Sequence, residues 1–314
     1  MRKILVLILF IEIVAIAFFA LKNTRNFDFL NQNSAKIIQP EIKKVSILAF
    51  GDMMLDRIVL TKTQKAGDYN FPFLKIDNFL KTADLKIANL EGPITDFKSV
   101  SNGNTRMRFT NSPKFLSILQ NRFNVFNLAN NHMLDFGEKG YEQTKNYLSS
   151  MGINYFGNYN NQSENLSTII EKNGIKIGFV GYHGLIDTGF EDVLKEIEKI
   201  RPQVDFLIVM PHWGAEYQKV PAQSTKEKAK QFINAGADLI LGSHSHVVQT
   251  IEEYNGKMIF YSLGNFIFDQ YWSKDTMQGL GVEILLEKSD NKIKAEYKQH
   301  KILINNDSQP SVVE

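Results

Sequence analysis

From residue 45 to about residue 275, short apolar runs alternate with longer amphipathic stretches, the pattern of strands and helices taking turns in an α/β domain. Strands are expected at 45–50, 85–89, 125–129, 176–181, 205–210 and 238–241, each ending at polar or glycine residues. Helices are expected at 73–83, 113–121, 141–151, 191–200 and 224–235. The last third changes character: 247–254, 258–262, 280–287 and 293–300 read as strands joined by Asn-Gly and Asp-Asn turns, which fits a second, mainly antiparallel sheet. Two sheets face to face with helices outside make a four-layer domain over 45–304, and 305–314 reads as a frayed tail.

Ionisable and amide residues fall just after the strands. Asp52 follows the first, Glu91 the second, Asn130, Asn131 and His132 the third, His212 the fifth, and Gly242-Ser243-His244-Ser245-His246 the sixth. The carboxyl ends of strands are where α/β folds build sites, because the backbone is fixed there while the loops vary. Each residue alone has a plainer reading: Asp52 can cap or shape a turn, Glu91 can be a surface carboxylate, His212 can pack, and His132 can hydrogen-bond locally. The two histidines flanking Ser245 in a glycine-led loop are harder to dismiss, since one backbone turn can present both to neighbouring ions. His183 and His300 receive no role.

The chain has no cysteine, so any metal must be held by His, Asn and carboxylates. Such donors suit one or two divalent ions of zinc, manganese or iron in a hydrolytic site. With 36 Lys+Arg against 34 Asp+Glu the net charge is only +2, and composition gives no electrostatic reason to expect a nucleic-acid partner.

The N-terminus carries a membrane signal. Arg2 and Lys3 precede an apolar run from Ile4 to Leu21 broken only by Glu12, and about 18 such residues just reach the length that crosses a bilayer core. The basic flank favours a cytoplasmic N-terminus and an extracytoplasmic domain. Residues 1–22 are thus expected to be a single-pass anchor in the cytoplasmic membrane, followed by a polar tether at 23–44. Ala15-Ile16-Ala17 also reads as a signal-peptidase site, which would make the protein secreted, and a buried helix is the third reading.

Six segments, in order, carry a resemblance: GDMMLDR (51–57), ANLEGPIT (88–95), LANNHMLDFGEKGYEQT (128–144), PHWGAEY (211–217), GADLILGSHSHVVQTIE (236–252) and YSLGNFIFDQ (261–270). Together they resemble the CapA family of poly-γ-glutamate capsule biosynthesis proteins, over essentially all of 45–275. That family is similar to calcineurin-like metallophosphoesterases, which implies a β-sandwich flanked by helices around two metal ions. The resemblance implies that Asp52 and His246 bind one ion, that Asn131, His212 and His244 bind the other, and that Glu91 bridges them. It implies for His132 a catalytic role beside the metals, stabilising the transition state or protonating a leaving oxygen. One departure stands out: where the wider superfamily reads Asp-X-His, this chain reads Asp52-Met53-Met54. A thioether is a poor donor to such ions, so Met54 is expected to pack. The implied function is capsule polymer synthesis with a metal-dependent hydrolase site acting on a phosphoryl or acyl centre. Poly-γ-glutamate and the subunits that make or export it are the implied partners. A non-catalytic scaffold or export subunit, and a secreted nucleotidase or nuclease, are the competing readings.

Overall fold

The computed structural model describes residues 15–19, 42–100, 107–162, 164–290 and 292–313. Of the expected membrane anchor only 15–19 fall among these, and they are helical; the rest of that run and the tether up to residue 41 lie outside the described residues. No helix among the described residues is long and apolar enough to cross a membrane.

Residues 42–314 form one compact unit. Its strands are β1 (Lys43–Met53), β2 (Leu85–Leu90), β3 (Val125–Asn127), β4 (Asn154–Phe156), β5 (Ser167–Lys172), β6 (Ile175–His183), β7 (Phe206–His212), β8 (Leu239–Leu241), β9 (Ile251–Tyr254), β10 (Lys257–Phe260), β11 (Asn265–Ile267), β12 (Gln278–Ser289), β13 (Lys292–Ile304) and β14 (Pro310–Val313). The helices are α1 (Arg57–Ala66), α2 (Asp77–Leu80), α3 (Leu116–Gln120), α4 (Gly137–Ser150), α5 (Phe190–Ile200) and α6 (Gln223–Ala235). One sheet runs β14-β13-β12-β1-β2-β3-β4, with β11 also on β1, and the other runs β5-β6-β7-β8-β10-β9.

The period-2 pattern of β1 explains the layering. Val45, Ile47 and Ala49 enter a core shared with Ile177, Phe179, Phe206 and Ile208 of the other sheet. Leu48 and Phe50 point the opposite way, into a core built with Val59 of α1, Leu116 and Leu119 of α3, and Leu148 of α4. A third core packs Val193 and Ile197 of α5 and Phe232 of α6 on the far face of the second sheet. Fully burying each such side chain stabilises by ~1.5–3 kcal/mol before entropy is counted. The result is a mixed α/β arrangement of two facing sheets with helices outside.

Three expectations need correction. The late strands do not form a sheet of their own. β12 lies antiparallel on the free edge of β1, with Val45 opposite Leu286 and Ala49 opposite Val282, and β13 and β14 extend that sheet, while β9 and β10 join the other. An unpaired edge on β1 would leave a buried row of backbone groups unsatisfied, and β12 supplies their partners. The tail is no frayed end either: β14 pairs with β13, and buried Gln309 donates its side-chain amide to the Phe71 carbonyl at 2.9 Å. The tether ends earlier than expected, because β1 already begins at Lys43.

Candidate metal centre

The strand ends deliver the polar residues to one place. β1 runs on through Asp52, past a register shift against β2 between Ala49 and Asp52, and such irregularities re-aim side chains. A Cβ on Gly51 would lie 1.9 Å from the Gly264 carbonyl oxygen, so only glycine lets the two backbones come this close. The same oxygen accepts the Asp52 N–H at 3.0 Å. Beyond β2, the Glu91 N–H donates to the Met53 carbonyl at 2.9 Å. Asn130 ties the loop after β3 to β2, donating from Nδ2 to the Leu90 carbonyl at 2.9 Å and accepting the His132 N–H on Oδ1 at 3.2 Å.

After β8 the chain bends through His244 and His246, both in the left-handed region with φ of 89° and 56°. For non-glycine residues such conformations cost on the order of 1–3 kcal/mol and persist only where surrounding bonds over-determine them. Here the His244 N–H donates to Asp52 Oδ2 at 3.1 Å, and the Tyr217 N–H donates to the Ser245 carbonyl at 2.7 Å.

All seven residues singled out in the sequence converge. His212 Nε2 is 2.9 Å from Asn131 Oδ1 and 3.2 Å from His244 Nδ1. Its Nδ1 is 3.7 Å from Asp52 Oδ1. His246 Nδ1 is 3.4 Å from Asp52 Oδ2, and its Nε2 is 3.7 Å from Glu91 Oε1. His132 Nε2 stands 3.8 Å from the same Glu91 oxygen. Asp52, Glu91 and His212 are 0 % exposed, His132, His244 and His246 are buried, and Asn131 is exposed.

Neighbouring groups orient these side chains. Asn265 Nδ2 donates to Gln270 Oε1 and to the Thr276 carbonyl, which leaves its Oδ1 to accept from His246 Nδ1 at 2.9 Å. His246 Nε2 is thereby freed to face Glu91. Asn89 Nδ2 donates to Asp52 Oδ1 at 2.8 Å. Asp135 accepts from His132 Nδ1 at 2.7 Å, and the His132 ring lies 4.0 Å from that of Phe109, centroid to centroid. Such outer partners fix the tautomer and aim of a ligand or catalytic imidazole. Asn89, Asp135, Asn265 and Glu216 were not foreseen. Asp135 lies three residues past His132 and Glu216 four past His212, the same strand-end placement that flagged the others.

The charge state of the cluster fits divalent metal. Burial, and then the Asp52 carboxylate beside it, push the Glu91 carboxyl well above the usual range. Among the described residues, none donates a hydrogen bond to either Glu91 oxygen. A buried carboxylate left in this condition costs several kcal/mol unless a cation accompanies it. Burial holds the His212 imidazole well below its ordinary value, and burial together with His246 lowers His244 to about 4, so both present neutral nitrogens. His246 is the exception: burial pulls it down, but Glu91 and Asp52 outweigh that and raise it to about 9. Ligand-capable atoms of Asp52, Glu91 and His212 lie within 4.8 Å of one another, as do those of Glu216, His244 and His246. This grouping by proximity divides the residues differently from the division the resemblance implied.

Met54 is fully buried in the helix-side core, and its sulfur accepts the Asp56 N–H at 3.0 Å. It packs, as its thioether led us to expect. His183 is the cross-strand neighbour of His212 in β6 and β7, with its Nδ1 2.8 Å from the Tyr159 carbonyl oxygen, and His300 pairs with Glu283 at 2.8 Å. Toward the surface, a groove of about 510 Å³ is lined by Arg57, Lys98 and Lys114 among others, and the Arg57 guanidinium lies 5.6 Å from the centre of the Phe109 ring that backs His132.

Residues 46–270 match the family model described as bacterial capsule synthesis protein PGA_cap. Over 242 residues the chain is 31% identical to the PGA biosynthesis protein CapA of Bacillus subtilis (strain 168), covering 71% of this chain and 63% of that protein. It is 29% identical over 262 residues to the capsule biosynthesis protein CapA of Bacillus anthracis, covering 76% of this chain and 64% of that protein. The chain therefore spans a little under two thirds of the length of these relatives. Among solved structures, a putative 5'-nucleotidase from Staphylococcus aureus aligns with 82% of this chain and 54% of its own at a TM-score of 0.49 and 14% identity. Because the family match spans 46–270, most of the chain and every motif from GDMMLDR to YSLGNFIFDQ, this protein belongs to the bacterial capsule synthesis family PGA_cap, whose relatives include the CapA proteins its sequence resembles.

Proposed function

We propose that this protein serves poly-γ-glutamate capsule synthesis as a membrane-anchored, extracytoplasmic, metal-dependent hydrolase of metallophosphoesterase type. The observation that carries the chemistry is Glu91, whose two buried oxygens accept no hydrogen bond among the described residues, while its Oε1 lies 3.7–3.8 Å from imidazoles of two other loops. Asp52, Glu91, Asn131, His212, His244 and His246 would hold one or two ions of manganese, zinc or iron, since oxygen and imidazole donors without thiolate suit these metals. When bound, the ions supply a nucleophile at neutral pH by lowering the pKa of water and offset charge on the reacting centre. Among the chain's own groups, His132 is placed to move a proton: Asp135 fixes its Nδ1, and its Nε2 faces the Glu91 side. The neighbouring groove is lined by three basic side chains, Arg57, Lys98 and Lys114, against one carboxylate, Asp96, a balance that suits a polyanionic polymer. The names of the Bacillus relatives support the process.

Full-length protein stripped with chelator and reloaded with manganese should hydrolyse a generic phosphodiester or a γ-linked glutamate oligomer, and the stripped protein should not. Metal binding without turnover of either would leave a non-catalytic subunit that uses the site structurally. The location has its own test. Protease added to intact protoplasts should digest the domain, given the Arg2-Lys3 flank and the apolar run to Leu21. Protection of the full domain would overturn the orientation, and release of a product beginning at Phe18 would replace the anchor by a cleaved signal.

A further inference from the structure

Glu216 is an ionisable residue at the centre for which neither the motifs nor the proposed ligand set provides a role. It lies in the loop after β7, four residues past His212. Its carboxylate comes within 4.8 Å of ring nitrogens of both His244 and His246, which themselves lie within that distance of each other. The loop is docked rather than adrift. The Tyr217 N–H donates to the Ser245 carbonyl between the two histidines at 2.7 Å, and Gln270 Nε2 donates to the Tyr217 hydroxyl at 3.3 Å. The Tyr217 and His246 rings stand 6.2 Å apart. Tyr217 also takes a left-handed backbone, with φ of 62°, which turns the chain back over the histidine loop.

The strand carrying Asp52 offers no second donor on its own side. Met54 is sealed in the core with its sulfur already engaged by Asp56. Glu91 Oε1 lies 3.7 Å from His246 Nε2, but in place of the donor that Met54 does not supply an ion near His244 and His246 needs a further ligand, and among the described residues the Glu216 carboxylate completes a group with these two. Two imidazoles and one carboxylate leaving further positions open is a donor set that holds catalytic zinc and suits iron or manganese equally. Donor atoms about 2.0–2.2 Å from a common ion lie closer together than 4.8 Å, so the three side chains must draw in slightly on binding, which the flexible glutamate stem allows.

We propose that Glu216 is a metal ligand, supplying the carboxylate that holds a divalent ion together with His244 and His246. This rests on the metal-centre reading of the site and adds to it a seventh residue, from the loop that begins at His212. The test titrates manganese into chelator-stripped, full-length protein and follows free ion by its electron paramagnetic resonance signal. The unaltered protein should bind two ions. Glu216→Gln should keep one at unchanged affinity and weaken the other by at least about tenfold, the lower end of what loss of even an outer-sphere partner costs. Its metal-free melting temperature should match that of the unaltered protein. Two ions bound by Glu216→Gln at the original affinity would overturn the assignment while leaving the metal centre intact. Loss of both ions accompanied by a lower metal-free melting temperature would place Glu216 in the fold instead and equally overturn it. If the unaltered protein binds no manganese, zinc or iron, the metal-centre reading falls and this assignment with it.

Discussion

Glu91→Gln is expected to make the metal-free protein more stable and the metal-loaded protein hard to form. The two effects share one cause. Both Glu91 oxygens are buried without a hydrogen-bond donor among the described residues, beside the Asp52 carboxylate, and burial holds the carboxyl well above its ordinary value. The folded metal-free chain therefore binds a proton that the unfolded chain has already released. Between the ordinary value of 4.5 and the raised one, the unfolded state carries fewer protons than the folded state, so stability falls as pH rises. Glutamine removes that penalty, and its amide can donate toward Asp52. The melting temperature of the stripped variant should exceed that of the stripped parent by at least about 2 °C near neutral pH, with the gain fading toward pH ~4. Metal affinity should move the other way, falling by about a hundredfold or more, beyond the ~10–100-fold lost when only an outer partner of a ligand is changed. Calorimetric melting of stripped protein across that pH range, paired with metal titration at neutral pH, measures both. A variant less stable without metal and undiminished in affinity would mean that Glu91 is satisfied by protein groups and has no ion to hold.

How much of this was readable before the fold can be judged from single residues. Asp52, Glu91, Asn131, His132, His212, His244 and His246 were legible because each follows an apolar run, and a strand end is a place rather than merely a residue type. Glu216 and Asp135 obey the same rule a few residues farther on, but carboxylates are mostly surface groups and nothing local marks them. Asn89 and Asn265 lie inside strands, where an amide looks like an ordinary polar residue until its partners, Asp52 and His246, arrive from elsewhere in the chain. β5 was missed despite its signal. Asn173-Gly174, with φ of 51° and 73°, makes the same two-residue hairpin turn into β6 that Asn255-Gly256 makes between β9 and β10. The pairing of β12 with β1 could not be read at all, since the partner of a free edge is decided by which sheet needs covering and not by the strand's own residues. The expected helix at 73–83 shortened to α2: a 3-10 turn at Phe71–Phe73 runs into turn residues 74–76, and the helix forms only from Asp77.

The other large effect falls on His132, and it separates catalysis from binding. In the proposed mechanism this imidazole does not hold metal: its Nδ1 is committed to Asp135 at 2.7 Å, and its Nε2 stands 3.8 Å from Glu91 with the Phe109 ring beneath it. That leaves Nε2 to give a proton to a departing oxygen or to stabilise charge there, roles worth roughly a hundred- to ten-thousand-fold in rate. His132→Ala should therefore lower kcat on a phosphodiester by about that range while the number of bound ions and their affinities stay as in the parent. Asp135→Asn should produce a smaller loss in the same kcat, because the ring remains but its tautomer and aim are no longer held. The Phe109 N–H also donates to the Asp135 carboxylate at 2.7 Å, so the asparagine variant must be checked for an unchanged melting temperature before its rate is read. Turnover at the parental rate by metal-loaded His132→Ala would assign this histidine to packing on Phe109.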